Sequence, residues 1–315
     1  MASIGMRACY WTLQKLPYKR ERKPTKTDSK DLQGIGQLLL DALDLCFNLR
    51  GIGWSWADRL RVPTERRNLN STSSFITSTT LSYIIHFILF DLAHYAIQSF
   101  GPKTIASPTG GSIFDPSLPP ILRYARSSLI VLIQGFSVHC SMQSFYDLLT
   151  IISVIFFRHS PWQWPPISDK PWLSTSLIEF WNLRWHQTFR DCFINLGGKP
   201  FGLLLGRTGG IMGAFLVSGL LHNFISWGLG QGTDGPYLIG CFLMIGVGVI
   251  LERGWKKVTG HRVGGILGWV WAFCWMIACS HLLVDSWARH GYFGSLYVSE
   301  HQRPSVLLFG SLFTN

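Results

Sequence analysis

Gly209-Gly210-Ile211-Met212-Gly213-Ala214-Phe215-Leu216-Val217-Ser218-Gly219-Leu220-Leu221-His222-Asn223-Phe224-Ile225-Ser226-Trp227-Gly228-Leu229 contains no Asp, Glu, Lys or Arg. About 20 mostly apolar residues in a helix cross the roughly 30 Å of bilayer hydrocarbon, so this stretch reads as a transmembrane span. Its one ionisable side chain is His222, placed near mid-span. A titratable group in hydrocarbon is costly and by default marks a functional or cavity-facing position. The alternative is a neutral imidazole bonded to a neighbouring helix. Ser218, His222 and Ser226 share one helix face, and Gly213 and Gly219 permit close helix packing.

Working outward, four more stretches qualify: Ile76 to Ile97, a segment within Ser127 to Phe157, the short Tyr237 to Leu251, and Val263 to Leu283. Val306 to Phe313 is too short to cross. The composition agrees. Of 315 residues, 47% are apolar and only 14% charged, against about 25% charged in soluble domains; the mean hydropathy is +0.22. The 14 Trp suit a protein with two interfaces to anchor. The expected fold is an all-α integral membrane bundle of five spans plus interfacial amphipathic helices.

With the N-terminus cytosolic, 23 of the 28 Lys and Arg fall in segments 1–75, 158–207 and 252–262, and 5 on the other side, the asymmetry of the positive-inside rule. The net charge of +11 includes the cluster Lys19, Arg20, Arg22, Lys23, Lys26 and Lys30. In a membrane protein that cluster faces anionic lipid in preference to nucleic acid. The first thirty residues lack the apolar core of a signal peptide, so targeting falls to the first span, and the endoplasmic reticulum is the expected membrane. Seven scattered Cys without CxxC pairs or metal spacing read as buried thiols. The organisation expected is a basic polar segment at 1–30, an interfacial helix with a Gly/Trp turn at 31–60, and the membrane domain at 61–315.

Ile35, Leu38, Leu39, Ala42, Cys46 and Leu49 fall on one helical face, with Gln37, Asp41, Asp44 and Asn48 on the other, as in a helix lying in the interface. It runs into Arg50-Gly51-Ile52-Gly53-Trp54-Ser55-Trp56, where two Gly allow a tight turn and two Trp are expected at headgroup level.

Segment 158–207 holds the chemistry-bearing residues. After the rigid entry Pro161-Trp162-Gln163-Trp164-Pro165-Pro166, Ser176 and Glu179 form a capping box that starts a helix at about Leu177. On that helix Ile178, Trp181, Trp185 and Phe189 would make an aromatic stripe, and Glu179, Asn182, His186 and Arg190 a polar one. Pattern alone also fits an interfacial helix with a solvated polar face. His86, Asp91 and His94 lie within the first span, where Asp91 and His94 are close enough to pair; they read as orienting helices or lining a cavity, and His139 and His281 as structural. His86 to Asp91 and His281 to Asp285 spell acyltransferase-like His/Asp boxes, but both lack companion motifs. Di-iron His clusters, phosphate loops and the G-x-S-x-G elbow are absent from the sequence.

Trp164-Pro165-Pro166, the run from Ser176 to Arg190, and Ser218-Gly219-Leu220-Leu221-His222-Asn223 together resemble the wax-synthase-like branch of the membrane-bound O-acyltransferases. Leu49 to Trp56 resembles a block of its fungal members. The resemblance covers about Leu38 to Asp285. It implies a helical membrane fold with an internal tunnel, acyl-CoA entering from the cytosol, and His222 as the catalytic residue. The family's second polar position, often Asn after a Trp, falls on His186 after Trp185. By this resemblance His222 and His186 are catalytic candidates. Asn182, Arg184, Trp185, Arg190 and Asn223 are candidates for positioning acceptor or donor, with the two Arg paired to CoA phosphates. The co-substrate is acyl-CoA, acetyl-CoA above all, with no metal and no tightly bound cofactor. The partners are a small lipophilic alcohol, such as a terpenoid or meroterpenoid of secondary metabolism, and membrane lipid. A long-chain wax-ester synthase is the nearest alternative; a small transporter or an inactive scaffold are the alternatives from other classes.

Overall fold

A computed structural model describes residues 2–12, 17–20, 35–57 and 60–313. Arg22, Lys23, Lys26 and Lys30 lie outside them. Within the described residues the chain forms helices α1 (Ala2–Trp11), α2 (Ile35–Phe47), α3 (Thr72–Ser99), α4 (Pro120–Phe156), α5 (Leu177–Glu179), α6 (Arg190–Phe193), α7 (Lys199–Gly228), α8 (Gly235–Thr259), α9 (Gly265–Arg289) and α10 (Pro304–Phe309). Five helical segments are long and apolar enough to cross a membrane: Thr72–Ser99, Pro120–Phe156, Arg190–Gly228, Gly235–Thr259 and Gly265–Arg289. The protein is an integral, multi-pass, all-α membrane protein. The fourth span, short in the sequence reading, is a full 25-residue helix, because Glu252, Arg253, Lys256 and Lys257 continue it beyond the apolar core.

Packing joins α3 to α4, α7 to α8 and α8 to α9, and α4 touches α9. Between α4 and α9 sits a core of Ile97, Ile113, Ile130, Val131, Val284 and Ala288. Beside it His281 donates Nδ1–H to the Ile277 carbonyl (2.9 Å) and meets the Ser127 hydroxyl through Nε2 (3.1 Å), the structural role expected of it. Asp91 does not pair with His94. It accepts from Arg303 Nε (2.7 Å), the Tyr297 hydroxyl (2.8 Å) and the Ser305 N–H (2.7 Å), while His94 faces the Ser295 carbonyl (3.2 Å). A cation brought from the C-terminal segment outcompetes a neutral imidazole on the same helix.

The third span is not one straight crossing. At Leu205 (φ −122°, ψ 16°) and Gly206 (φ 64°, ψ −161°) the helix breaks, and residues 190–205 fold back on 207–228. The arms touch through glycine: a Cβ on Gly197 would lie 2.1 Å from the Gly213 carbonyl oxygen, and one on Gly210 2.9 Å from the Gly198 carbonyl oxygen. Side chains at these positions would hold the backbones apart, so the seam requires glycine. Leu203, Leu204 and Leu205 stand exposed at the tip.

In the N-terminal block α2 turns its apolar residues Ile35, Leu38, Leu39, Leu43 and Phe47 outward, as expected of an interfacial helix. Its acids face inward, where Asp41 pairs with Arg20 and Asp44 accepts from Trp54 Nε1 (2.7 Å). Gly51 (φ +68°) and Gly53 (φ +82°) make the turn. Both Trp pack against protein: Trp54 is buried, and the Trp56 ring lies under the Arg7 guanidinium (4.8 Å). Arg50 donates to the carbonyls of Pro165 and Pro166 (2.8 Å each) and to the Tyr146 hydroxyl. That fastens the N-terminal block to the Pro-rich entry and to α4.

Candidate active site

The helix after Ser176 begins as its capping signal dictates. Ser176 Oγ accepts from the Glu179 N–H (3.0 Å), and Glu179 accepts from the Thr175 N–H and hydroxyl (2.8 Å each). Two further donors of this first turn, the N–H groups of Leu177 (2.6 Å) and Ile178 (3.0 Å), are taken by the Glu252 carboxylate of α8, which Trp271 Nε1 also reaches (3.0 Å). The helix is thereby clamped to α8 and α9. Sequence reading missed Glu252; its only signal was a carboxylate at the end of an apolar stretch.

The continuous helix expected to carry the aromatic and polar stripes does not form. Over Phe180–Arg184 the chain widens into a π-turn, closed by the Trp185 N–H on the Phe180 carbonyl (2.8 Å). Trp185 is then extended (φ −76°, ψ 160°), and the Arg184 carbonyl accepts from the Asp169 N–H (2.8 Å). A loop donor takes the carbonyl that the next helical turn would need. The break frees Trp185 and His186 from helical register, and π-turns of this kind recur at functional sites.

Trp185 stacks on Phe180 (5.3 Å, 16°) and lies 5.2 Å from His186 and 6.4 Å from His139, centroid to centroid. His186 Nδ1 is buried without a hydrogen-bond partner among the described residues. Burial, with the nearby His222 and Arg50 adding to it, holds the His186 pKa down to about 3, so the imidazole is neutral at physiological pH. Across from it, His222 Nδ1 lies 2.8 Å from the Ser218 carbonyl oxygen. A carbonyl only accepts, so Nδ1 carries the proton and Nε2 keeps its lone pair. The ring stacks on Phe242 of α8 (4.2 Å, 29°), and Phe242 belongs to the cluster into which Trp181, Phe215 and Trp275 pack. His222 sits six residues before α7 ends at Gly228, on the arm that follows the break at Gly206.

The remaining candidates separate. Arg184 is held by Glu179 (2.7 Å) and donates to the Asp169 carbonyl (3.2 Å). Burial pushes the Glu179 carboxyl up, but its bonds from Thr175 and Arg184 outweigh that and hold it below the ordinary range. Asn223 Oδ1 accepts from the Thr233 hydroxyl (2.8 Å), bracing the α7–α8 turn. Asn182 and Arg190 line a groove of about 1210 Å³ whose walls also carry Arg207, Arg253, Lys256, Lys257 and Arg262. Structure thus sets His186 within electrostatic reach of His222, puts Asn182 and Arg190 on one groove, and leaves Arg184 and Asn223 in bracing contacts.

These features define a polytopic membrane protein with two half-buried imidazoles whose charges would interact, and with a strongly basic groove. The model of the membrane bound O-acyl transferase family matches residues 164–245, the interval that contains the π-turn, the hairpin and both histidines. The acetyltransferase spyB of Aspergillus fumigatus is 27% identical over 160 residues, 42% of this chain and 27% of that protein. The acetyltransferase ataH of Aspergillus terreus is 26% identical over 266 residues, 76% of this chain and 86% of that protein. A long-chain-alcohol O-fatty-acyltransferase of Simmondsia chinensis is 29% identical over 106 residues, 31% of this chain and 30% of that protein. The matched part of the chain thus spans under a third of two of these relatives and most of ataH. Over residues 164–245 the chain is thus similar to the membrane-bound O-acyltransferase family.

Proposed function

We propose that the protein transfers an acyl group, acetyl first, from acyl-CoA to the hydroxyl of a lipophilic acceptor such as a terpenoid or meroterpenoid of fungal secondary metabolism. The observation that carries this reading is the hydrogen bond that leaves His222 Nε2 unprotonated. Nε2 accepts the acceptor's hydroxyl proton as its oxygen attacks the thioester carbon. The C–S bond breaks, the CoA thiolate takes the proton back from the His222 imidazolium, and ester, CoA thiol and neutral imidazole remain. His186, neutral and within electrostatic reach of His222, holds the acceptor oxygen or polarises the carbonyl.

The basic groove suits the donor: its Arg and Lys side chains match CoA phosphates, with Arg able to bind them bidentately. A cytosolic N-terminus in the endoplasmic reticulum places that groove where acyl-CoA is found. The printed names of spyB and ataH favour acetyl. The Simmondsia enzyme's name favours a long-chain donor as the second reading. Membranes carrying the protein, given acetyl-CoA or palmitoyl-CoA with a lipid extract of the producing cells, should release CoA thiol and yield a product heavier by one acetyl unit. A palmitoyl adduct instead selects the second reading, and no thiol release with either donor overturns acyl transfer itself.

A further inference from the structure

A second polar cluster lies within the spans, on α3 and α4, outside the His222 pair. His86 Nδ1 lies 2.8 Å from the Ser82 carbonyl, which fixes the proton on Nδ1 and leaves Nε2 as an acceptor. Ser82 in turn donates its hydroxyl to Asp147 (2.6 Å), which also accepts from Gln143 (2.9 Å). His139 meets His86 edge-on at 6.0 Å and Trp172 edge-on at 5.3 Å, and reaches Trp185 at 6.4 Å. Trp185 is the immediate neighbour of His186 in chain and in space. One turn before His139, Gly135 is exposed, and a Cβ there would meet no atom within 4 Å, so that side of the helix face is open.

Packing alone does not account for this arrangement. Two imidazoles on adjacent spans would be replaced at lower cost by Leu or Phe, since a polar group in hydrocarbon without a partner is unfavourable. The Ser82 carbonyl holds His86 in one tautomer and leaves its Nε2 as an acceptor, while Asp147 fixes the Ser82 hydroxyl. The surrounding Trp172 and Trp185 rings supply the flat apolar contact that a lipophilic ring system needs.

We propose that His86 and His139 form an acceptor subsite that hydrogen-bonds an oxygen function of a lipophilic alcohol. His86 Nε2 accepts from a hydroxyl of the acceptor, and His139 binds the same oxygen or a neighbouring one, while Trp172 and Trp185 hold the hydrocarbon skeleton. The hydroxyl to be acylated lies beyond Trp185, toward His186 and His222. This rests on the acyl-transfer reading and makes it more specific: the preferred acceptor carries a second oxygen function besides the one that is esterified.

The test compares a monohydric and a dihydric probe of one skeleton, 1-dodecanol and 1,12-dodecanediol, on the full-length protein and on His86→Phe, His139→Phe and the double variant. Radiolabelled acetyl transfer reports KM for each alcohol and for acetyl-CoA. Thermal unfolding in detergent, with and without each alcohol, reports binding independently of turnover. One lost hydrogen bond should raise the diol KM about tenfold, with the KM for 1-dodecanol and for acetyl-CoA unchanged. The diol should also stabilise the wild type more than 1-dodecanol does, and that difference should vanish in the double variant. Equal diol KM and equal diol stabilisation in wild type and double variant overturn the subsite. If the wild type transfers nothing yet the His-dependent stabilisation by the diol persists, the subsite stands and the acyl-transfer reading fails. If neither transfer nor differential stabilisation is seen, both fall.

Discussion

The Nδ1–H of His222 points back along its own helix to the Ser218 carbonyl, 2.8 Å away. The acceptor is main chain, so no substitution at Ser218 removes it while the helix stands, and the tautomer of the proposed base is built into α7.

His222→Gln therefore separates proton transfer from hydrogen bonding. Gln retains polar reach but takes up no proton, and general-base assistance is worth about 10²–10⁴ in rate. CoA thiol release should fall by that order while helix content by circular dichroism is unchanged. Near-full turnover would make His222 a structural residue and move the base to His186.

Arg190 and Arg184, six residues apart, should behave differently. Arg190 lines the basic groove, so Arg190→Ala should raise KM for acyl-CoA, with the difference from wild type shrinking as salt screens the groove. Arg184 is held by Glu179 and Asp169, so Arg184→Ala should leave that KM in place and cost at most about 1 kcal/mol, as partly exposed pairs do. A rise in acyl-CoA KM from Arg184→Ala alone would place the donor elsewhere.

Adjacent glycines give an internal control on the hairpin. A Cβ on Gly197 would lie 2.1 Å from the Gly213 carbonyl oxygen, whereas one on Gly198 would meet nothing nearer than 3.5 Å. Gly197→Ala should lower the unfolding temperature by the equivalent of about 1–3 kcal/mol or more, the range for overpacking. Gly198→Ala should be close to neutral. Equal effects would show that the arms do not meet at this seam.

Acid should loosen the site through His186. Its folded pKa is about 3 against 6.5 for the free side chain, so below about pH 6.5 the unfolded chain binds a proton that the folded one refuses. The stabilisation is complete above 6.5 and declines as pH falls toward 3. His186→Phe should flatten the fall in thermal stability between pH 6.5 and 4; an unchanged slope would assign that fall to other groups.

Asn70 tests the orientation. Asn70-Ser71-Thr72 is an exposed acceptor sequon at the start of α3, on the side proposed to be cytosolic, so glycosidase treatment should leave the protein's mobility unchanged. A glycan on Asn70 would invert the topology.

The spans were legible because each is a long apolar run, and length against bilayer thickness suffices to recognise it. The start of α5 was legible because a cap is a local signal carried by Ser176 and Glu179. The break at Leu205 and Gly206 was not, since Arg190, Asp191, Lys199 and Arg207 interrupt the first arm, which therefore reads as part of a basic segment outside the span. Only the glycine spacing from Gly197 to Gly213 hinted at it. The π-turn was hidden for another reason: what ends the helix at Arg184 is a donor from Asp169, fifteen residues earlier. Arg50 with Pro165, Glu252 with Leu177 and Arg303 with Asp91 are likewise long-range pairings that local pattern does not encode. His222 and His186 stood out as candidates because an imidazole is conspicuous among apolar neighbours; Glu252 escaped because it stands among other charged residues at a helix end.

Leu177 and the carboxylate that clamps it are separated by 75 residues of chain. At about 5–20 residues per second, roughly 4 to 15 seconds of synthesis pass between the emergence of the two. For that interval the segment bearing Trp181, Trp185 and His186 has no clamp on its first turn, and the His222 ring lacks Phe242 beneath it until α8 is made. The proposed reaction centre is thus among the late events of biogenesis, completed in the bilayer only when α8 arrives. A nascent chain halted before Glu252 would contain both histidines and still hold no ordered site, a species that the membrane's quality-control machinery would meet as an unassembled hairpin.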